Sequence, residues 1–338
     1  MPGETQAEVI DRITSHSMRV MRGIENEDVG GLVGAYRRAQ DDVMARIEEL
    51  FRTSQFATPN QWTFTEMTAT GRNAQLLSSI RQRLNQLQGE ASEQVMKAGI
   101  SQFETSRTRT AYGLDMATPP AMRVQVPILP EQTIRALLSE PFQGAMFSQR
   151  IGAITDAMAS DIRDELVQSM INGETMQDAS ARVADVIGSS NLTSPRSGTS
   201  RALTIARTEV MRAQHLGRIT SYMDNDALID GDPETAWVWV VTPDDRLCRW
   251  CMRREGKTPE EIEKMAAGAD PWGNKATLPL HPNCRCTSAP KLKTWRQLGI
   301  DMPEEYGEED RGYRDPVTGK WKIAPVVPFD KWQETTAR

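Results

Sequence analysis

Cysteine and histidine are scarce in this chain of 338 residues, which holds four of the first and three of the second. All four cysteines and one histidine nevertheless fall between Cys248 and Cys286, so the scarcity makes their clustering informative. Long apolar runs are missing, which excludes a membrane-spanning helix, and no membrane partner is expected. Aromatic residues make up only 6% of the chain while methionine occurs 17 times, a balance that suits a mainly helical protein with an adaptable apolar interior. Excess positive charge is also lacking. A formal net charge of −6 argues against a protein that coats nucleic acid over its whole surface and leaves only local basic patches for phosphate contact. No secretory signal opens the sequence, so a disulfide-forming compartment is not expected. What remains is an ordinary soluble composition, 25% charged and 38% hydrophobic, with length for two or three domains.

The clustered residues read Cys248-x-x-Cys251, an insert of about 29 residues, then His281-Pro-Asn-Cys284-Arg-Cys286. Five thiol or imidazole groups in two tight clusters is the arrangement a tetrahedral Zn²⁺ requires. Two ligands come from one turn and two from the other, so one of the five is spare. The favoured set is Cys248, Cys251 and Cys286 with either His281 or Cys284. Disulfides or inert buried thiols are the alternatives: the first lacks an oxidising compartment, and the second leaves the paired short spacing of every cysteine to chance. Thiol-rich ligands from two knuckles leave no open coordination position, which points to a closed, structural metal rather than a catalytic one.

Around this cluster the pattern is mostly helical. Stripes at spacings of three and four run through Val9, Ile10, Ile13 and then Ala35, Ala39, Val43, Ile47, with Gly30-Gly31 expected to break the first helix from the second. A further helix is expected over about 66–103, with Leu76, Ile80, Leu84 and Leu87 inward. Prolines at 119, 120, 127 and 130 mark a linker. Beyond it come a helix through Ile134 and Leu138, a break at 141–144, and a long helix capped by Ser148 and stopped by Asn172-Gly173. A short helix after Thr175 completes an αα-hairpin. Residues 188–200 are almost free of apolar side chains and read as a mobile loop. The helix that follows carries a narrow seam of Leu203, Ala206, Val210, Ala213 and Gly217. It is locally basic, with Arg201, Arg207, Arg212 and Arg218 against the single acid Glu209. Arg207 and Glu209 point to different sides of that helix, which leaves solvated charge or a Glu209 that reaches inward to hold the metal domain.

The run WVWVV at 237–241 is the clearest strand, β-branched and aromatic on both faces, and so expected to be covered from both sides. Thr258-Pro-Glu-Glu261 is a capping box with proline at the first helical position, and Gly268 is the expected end of its helix. After Cys286 the chain is expected to return from Thr287 as a second strand beside the first, so that the metal pins their register. Structural zinc contributes on the order of 10–16 kcal/mol in small metal domains, comparable with the roughly 5–15 kcal/mol net stability of a whole domain. Past Trp295 the chain turns acidic and reads as an extended arm ending in Pro328-Phe-Asp-Lys-Trp332.

A zinc hydrolase or base deaminase is a second functional class, but deaminases need a His-x-Glu element, and none of His16, His215 or His281 is followed by x-Glu. A DNA-binding module is a third, with Arg285, Lys291, Lys293 and Arg296 as a basic stretch suited to weak, salt-sensitive phosphate contact.

Taken together, IARTE at 205–209, the Trp-rich strand, Asp245-x-x-Cys248-x-x-Cys251 and HPNCRC at 281–286 resemble the C-terminal domain of the phage Mu F-like minor head proteins, the head morphogenesis family of tailed phages. The resemblance covers about 130–292. It implies a non-enzymatic virion component made in few copies, which associates with portal protein, and with scaffold or major capsid protein, during procapsid assembly in the host cytoplasm, and assists DNA packaging or delivery. It also implies that Cys248, Cys251, His281, Cys284 and Cys286 form the metal cluster and that Arg207, Thr208, Glu209 and Asp245 are structural motif residues. His215 departs from the asparagine often found there in the family. Some relatives carry a toxin or enzyme domain after this module, whereas here an acidic arm follows. The expected architecture is a mainly α N-terminal region with a small α+β zinc-knuckle C-terminal domain, whose short β-hairpin is pinned by metal. Its parts are a helical docking domain (1–115), a Pro-rich linker (116–130), the Mu F-like domain (131–298) and the arm (299–338). Within the Mu F-like domain the expected order is hairpin 131–187, loop 188–200, helix 201–223 and zinc β-hairpin 236–292.

Overall fold

The computed structural model describes residues 6–53, 71–118, 122–188, 190, 192–242, 247–265, 270–301, 312–314, 318–323 and 328–336. The chain is mainly helical. In order it forms α1 (Gln6–Thr53), α2 (Arg72–Ala117), α3 (Glu131–Ser139), α4 (Phe147–Asn172), α5 (Met176–Ile187) and α6 (Gly198–Asp224). A turn of 3-10 helix and β1 (Trp237–Val240) follow, then α7 (Arg249–Met252), α8 (Pro259–Glu263), β2 (Thr287–Pro290), β3 (Gly312–Arg314), β4 (Trp321–Ile323) and α9 (Phe329–Thr336). Two compact units emerge: residues 1–25, 99–135 and 210–338 in one, 26–98 and 136–209 in the other.

The second unit is built from amphipathic stripes. Leu32, Tyr36, Val43 and Ile47 of α1 and Leu76, Ile80, Leu84 and Leu87 of α2 are all buried, at the three- and four-residue spacings that put them on one helix face. Gly30-Gly31 does not interrupt α1. Both lie inside one continuous helix, flanked by buried Val29 and Leu32. A Cβ on Gly31 would stand 2.6 Å from Gln94 Oε1, the movable end of an α2 side chain, and neither glycine acts as a break. Although glycine costs a helix interior roughly 1 kcal/mol relative to alanine, tertiary packing on either side outweighs it here.

In the same unit α4 and α5 form the expected hairpin. Met146, not Ser148, is the N-cap of α4, with its backbone amide donating to Gln149 Oε1. Gly173 ends the helix in the left-handed conformation at φ 64°. Thr175 caps α5 through a reciprocal box with Asp178, and Gly188 closes α5. Within the segment expected to be mobile, Ser197 and Thr199 are buried. The Ser197 hydroxyl accepts from the Ser200 amide and the Thr199 hydroxyl donates to the Ile187 carbonyl.

The first unit holds the small sheet. β1 pairs antiparallel with β2 in the register Trp237 to Pro290, Val238 to Ala289, Trp239 to Ser288 and Val240 to Thr287. Trp237 and Trp239 are buried on one face among Leu278, Leu280 and the cysteines. Val238 and Val240 pack on the other face against a cluster that includes Tyr112, Met116 and Trp332. The strand is therefore covered from both sides. Above the sheet α6 crosses α2 closely, since a Cβ on Gly217 would lie 2.4 Å from the Phe103 carbonyl oxygen. The arm is not extended throughout. β3 and β4 form a second hairpin, and α9 buries Trp332, whose indole N–H donates to Asp115 Oδ2 at 2.7 Å. Trp62, Phe64, Gly268 and the acidic run at 304–310 lie outside the described residues.

Candidate metal centre

The first knuckle is made by α7. Cys248 is its N-cap, and the Cys251 amide donates to the Cys248 thiol at 3.3 Å. A sulfur at this position takes up a helix-end amide that would otherwise lack an acceptor. The second knuckle is a tight turn: the Cys284 amide donates to the His281 carbonyl at 3.0 Å, and Asn283 adopts a left-handed φ of 58°, which asparagine tolerates better than most residues. Thr242 fastens this turn to the end of β1 by donating from its hydroxyl to the Arg285 carbonyl at 2.6 Å.

These turns bring five groups together. His281 Nε2 lies 3.2 Å from Cys248 Sγ and 3.3 Å from Cys251 Sγ, and Cys251 Sγ lies 3.8 Å from Cys284 Sγ. Cys248, Cys251 and His281 form one group whose donor atoms lie within 4.8 Å of one another, and Cys251, Cys284 and Cys286 form another. Both could hold a metal ion. Cys251 belongs to each. Ligands at bond lengths of about 2.0–2.3 Å around a tetrahedral ion stand about 3.5–3.8 Å apart, close to the spacings seen here. All four thiols are free. Three are buried and Cys248 is half-buried.

The donor set fits a cation on two further grounds. His281 Nδ1 lies 2.9 Å from the Pro282 carbonyl oxygen, which can only accept. That contact places the proton on Nδ1 and leaves the Nε2 lone pair facing two sulfurs, the tautomer of a metal-bound imidazole. The buried thiols also act on each other's protons. Hydrogen bonds from Cys251 and Cys286 pull the Cys284 thiol well below its ordinary range, and backbone contacts from Cys286 and Leu280 add to the effect. Its partner Cys251 is pushed far up, by its hydrogen bonds to Cys284 and Cys286 and by burial. The Cys284 thiolate is thus stabilised mainly by thiols that must stay protonated, a role a divalent cation fills by deprotonating them all.

The insert between the knuckles is organised by Arg254, which sequence reading missed. Arg254 is fully buried. Its guanidinium donates to the carbonyls of Trp250 at 2.8 Å, Gly273 at 2.5 Å and Lys275 at 3.3 Å, and pairs with Asp270 at 3.0 Å. One side chain thereby ties the CxxC turn to the segment that delivers His281. The capping box of Thr258 and Glu261 forms as the sequence suggests, with Pro259 opening α8. On the other edge of β1, the Trp239 amide and carbonyl bond to the Lys257 carbonyl and the Gly256 amide at 2.9 and 2.8 Å.

The helix motif lies on α6, and Glu209 finds its ion-pair partner within its own compact unit. Glu209 is buried and ion-paired with Arg150 of α4. Thr208 donates its hydroxyl to the Thr204 carbonyl at 2.7 Å, and Arg207 is exposed. Arg212 and Arg218 are buried and not solvated. His215 meets Ser288 Oγ at 3.3 Å and stands edge-on to Trp237 with ring centroids 5.3 Å apart. Asp245 lies outside the described residues. Of the basic stretch, Lys291 and Arg296 are exposed and Arg285 is half-buried. The Lys293 ammonium donates to the Ala227 carbonyl at 3.0 Å.

The stretch that contains both knuckles, from within α4 to β2, is also the stretch with a family match. Residues 160–289 match the model of the Phage Mu protein F like protein family. This segment is similar to Mu F-like proteins. The Mu F-like match closes on β2 and so includes all five candidate ligands. Comparison with curated proteins and with solved structures returns no match. Among the described residues no helix is long and apolar enough to cross a membrane.

Proposed function

We propose that the protein is a minor structural component of a tailed-phage head, which works in head morphogenesis through contact with the portal and with scaffold or major capsid protein. The observation that carries this reading is the Mu F-like match over 160–289, which takes in the helix motif and both knuckles. The clustered thiols and imidazole hold Zn²⁺ in a closed site that stabilises the β1–β2 hairpin and performs no chemistry.

The ligands are Cys248, Cys251, His281 and Cys284, the four linked by contacts of 3.2–3.8 Å. This departs from the set favoured by spacing alone, which included Cys286. In the present reading the Cys286 thiol stands beside the ion as a neighbour of Cys251 and Cys284. When bound, zinc supplies the positive charge that the buried thiols lack, and with it most of the net stability of the hairpin region. The exposed Lys291 and Arg296 give weak, non-specific contact with packaged DNA.

Co-expression with the portal protein encoded by the same phage tests the assembly role. Co-purification is the expected result, with loss of the complex when residues 1–115 are removed. Failure to associate with portal, scaffold or capsid protein at any stage of head assembly contradicts it.

A further inference from the structure

Arg218 is buried, 4% exposed, and among the described residues no carboxylate pairs with it. Its Nε has no hydrogen-bond partner, and its Nη1 reaches only the Ser288 carbonyl, at 3.4 Å. The same carbonyl is shared at 3.4 Å with the Tyr222 hydroxyl, so one weak acceptor serves two buried donors. A guanidinium cannot shed its charge as a lysine can, and a buried charge without a partner is among the costlier arrangements in a fold.

Arg218 lines a chamber of ≈ 20 Å³ between α1, α2, α6 and β2. Thr14, Thr110 and Arg109 line it too. Arg109 Nε is likewise buried without a partner, while its guanidinium carbon lies 4.2 Å above the Phe329 ring. The chamber wall thus carries two arginines and two threonines with no acid among its described lining residues; Asp330 acts on Arg109 from outside the wall, so Arg218 is the charge left without compensation. The Ser106 hydroxyl is already committed to the Gln214 carbonyl at 2.7 Å, which leaves the arginines and threonines to face the space.

We infer that this chamber is a binding site for one small monovalent anion of chloride size, held by Arg218 and Arg109 and completed by the hydroxyls of Thr14 and Thr110. Size and charge select the occupant. A space of this volume takes a water-sized or slightly larger object, since about 10–15 Å³ suffices for one water, and it excludes phosphate and nucleotides. Water would satisfy the Nε–H but leave the buried charge uncompensated. A halide satisfies both. The anion would join α1, α2 and α6 to the strand that leaves the metal knuckle, because Ser288 lies two residues after Cys286.

The test uses the full, metal-loaded chain. Crystals grown in sodium bromide are expected to show an anomalous scattering peak in the chamber beside Arg218 Nε. In solution at equal ionic strength, the unfolding midpoint in chloride is expected to exceed that in gluconate by a few degrees, and this difference is expected to disappear in Arg218→Met. A chamber filled by water alone in the bromide crystals overturns the inference, as does a chloride effect that persists in Arg218→Met. The bromide map needs no variant and decides the matter if Arg218→Met does not fold.

Discussion

Arg254 Nη1 lies 3.0 Å from Asp270 Oδ2, with both side chains closed to solvent. Sixteen positions of a polar insert separate the two residues, and the pair holds that insert folded against the CxxC turn. Breaking a buried pair by removing one partner strands the other charge in the core, at a cost of roughly 3–5 kcal/mol. Arg254→Met is therefore expected to destabilise the metal-loaded protein by about that amount and to weaken metal retention in a chelator competition. Arg254→Lys should rescue little, because one ammonium cannot reach the three carbonyls and the carboxylate that the guanidinium fork spans. Urea unfolding of both variants checks this, and a neutral Arg254→Met would contradict it.

Glu209 and Arg207 sit in the same three-residue motif but in opposite surroundings. Glu209 is buried against Arg150, while Arg207 is exposed. Glu209→Ala is expected to cost roughly 2–4 kcal/mol by leaving Arg150 without its carboxylate, and Arg207→Ala less than about 1 kcal/mol. Chemical denaturation of the two variants distinguishes a structural motif from a catalytic one, since an acid kept for chemistry would not be needed for folding.

Two glycines in helices should respond with opposite signs. A methyl group at Gly217 would collide with the Phe103 carbonyl, 2.4 Å from the added Cβ. Backbone cannot step aside as a flexible side chain can, and Gly217→Ala is expected to destabilise by about 1–3 kcal/mol. Gly30 is exposed in α1 with nothing within 4 Å of its Cβ position. Gly30→Ala should stabilise by roughly 0.4–1 kcal/mol. Thermal melts of the pair read both effects at once.

The pH response of His215 has a defined direction. Desolvation, and then the nearby Arg218 charge, push its pKa from 6.5 down to about 3. The folded protein thus keeps the ring neutral where the unfolded chain protonates it. Its contribution to stability is complete above pH 6.5 and is lost progressively as pH falls from there toward 3. Because the ring is only half-buried, the loss is smaller than full desolvation of the imidazole would give. Metal release also weakens the fold in acid, so the measurement is a difference. The stability of His215→Asn should fall less steeply than that of the parent between pH 6.5 and 4. Parallel curves would contradict the assignment.

Much of the site was legible in the sequence because it is local. CxxC and HxxCxC each occupy a single turn, Thr258 and Glu261 announce their capping box, and the alternation of tryptophan and valine over 237–240 marks a strand whose partner begins at Thr287. The seam through Val210, Ala213 and Gly217 was also readable as a close helix crossing. What escaped reading depends on residues far apart in the chain. Glu209 finds Arg150 across 59 positions, and Arg254 is satisfied by carbonyls 4, 19 and 21 residues away, none of which carries a side-chain signature. Gly30-Gly31 misled because glycine signals a break by propensity, whereas burial of Val29 and Leu32 on either side carries the helix through it. α9 had a signal that was undervalued. Pro328 just ahead of Phe329 and Trp332 is a helix start with an i,i+3 aromatic pair, and the Trp332 amide does bond the Pro328 carbonyl at 3.0 Å.

Metal content of freshly purified protein, measured by native mass spectrometry alongside elemental analysis, tests the central claim most directly. One zinc per chain is the expected result, retained in Cys286→Ser and lost in Cys284→Ser and His281→Ala. A chain that carries no metal, or one that loses zinc with Cys286→Ser and keeps it with Cys284→Ser, would contradict the account.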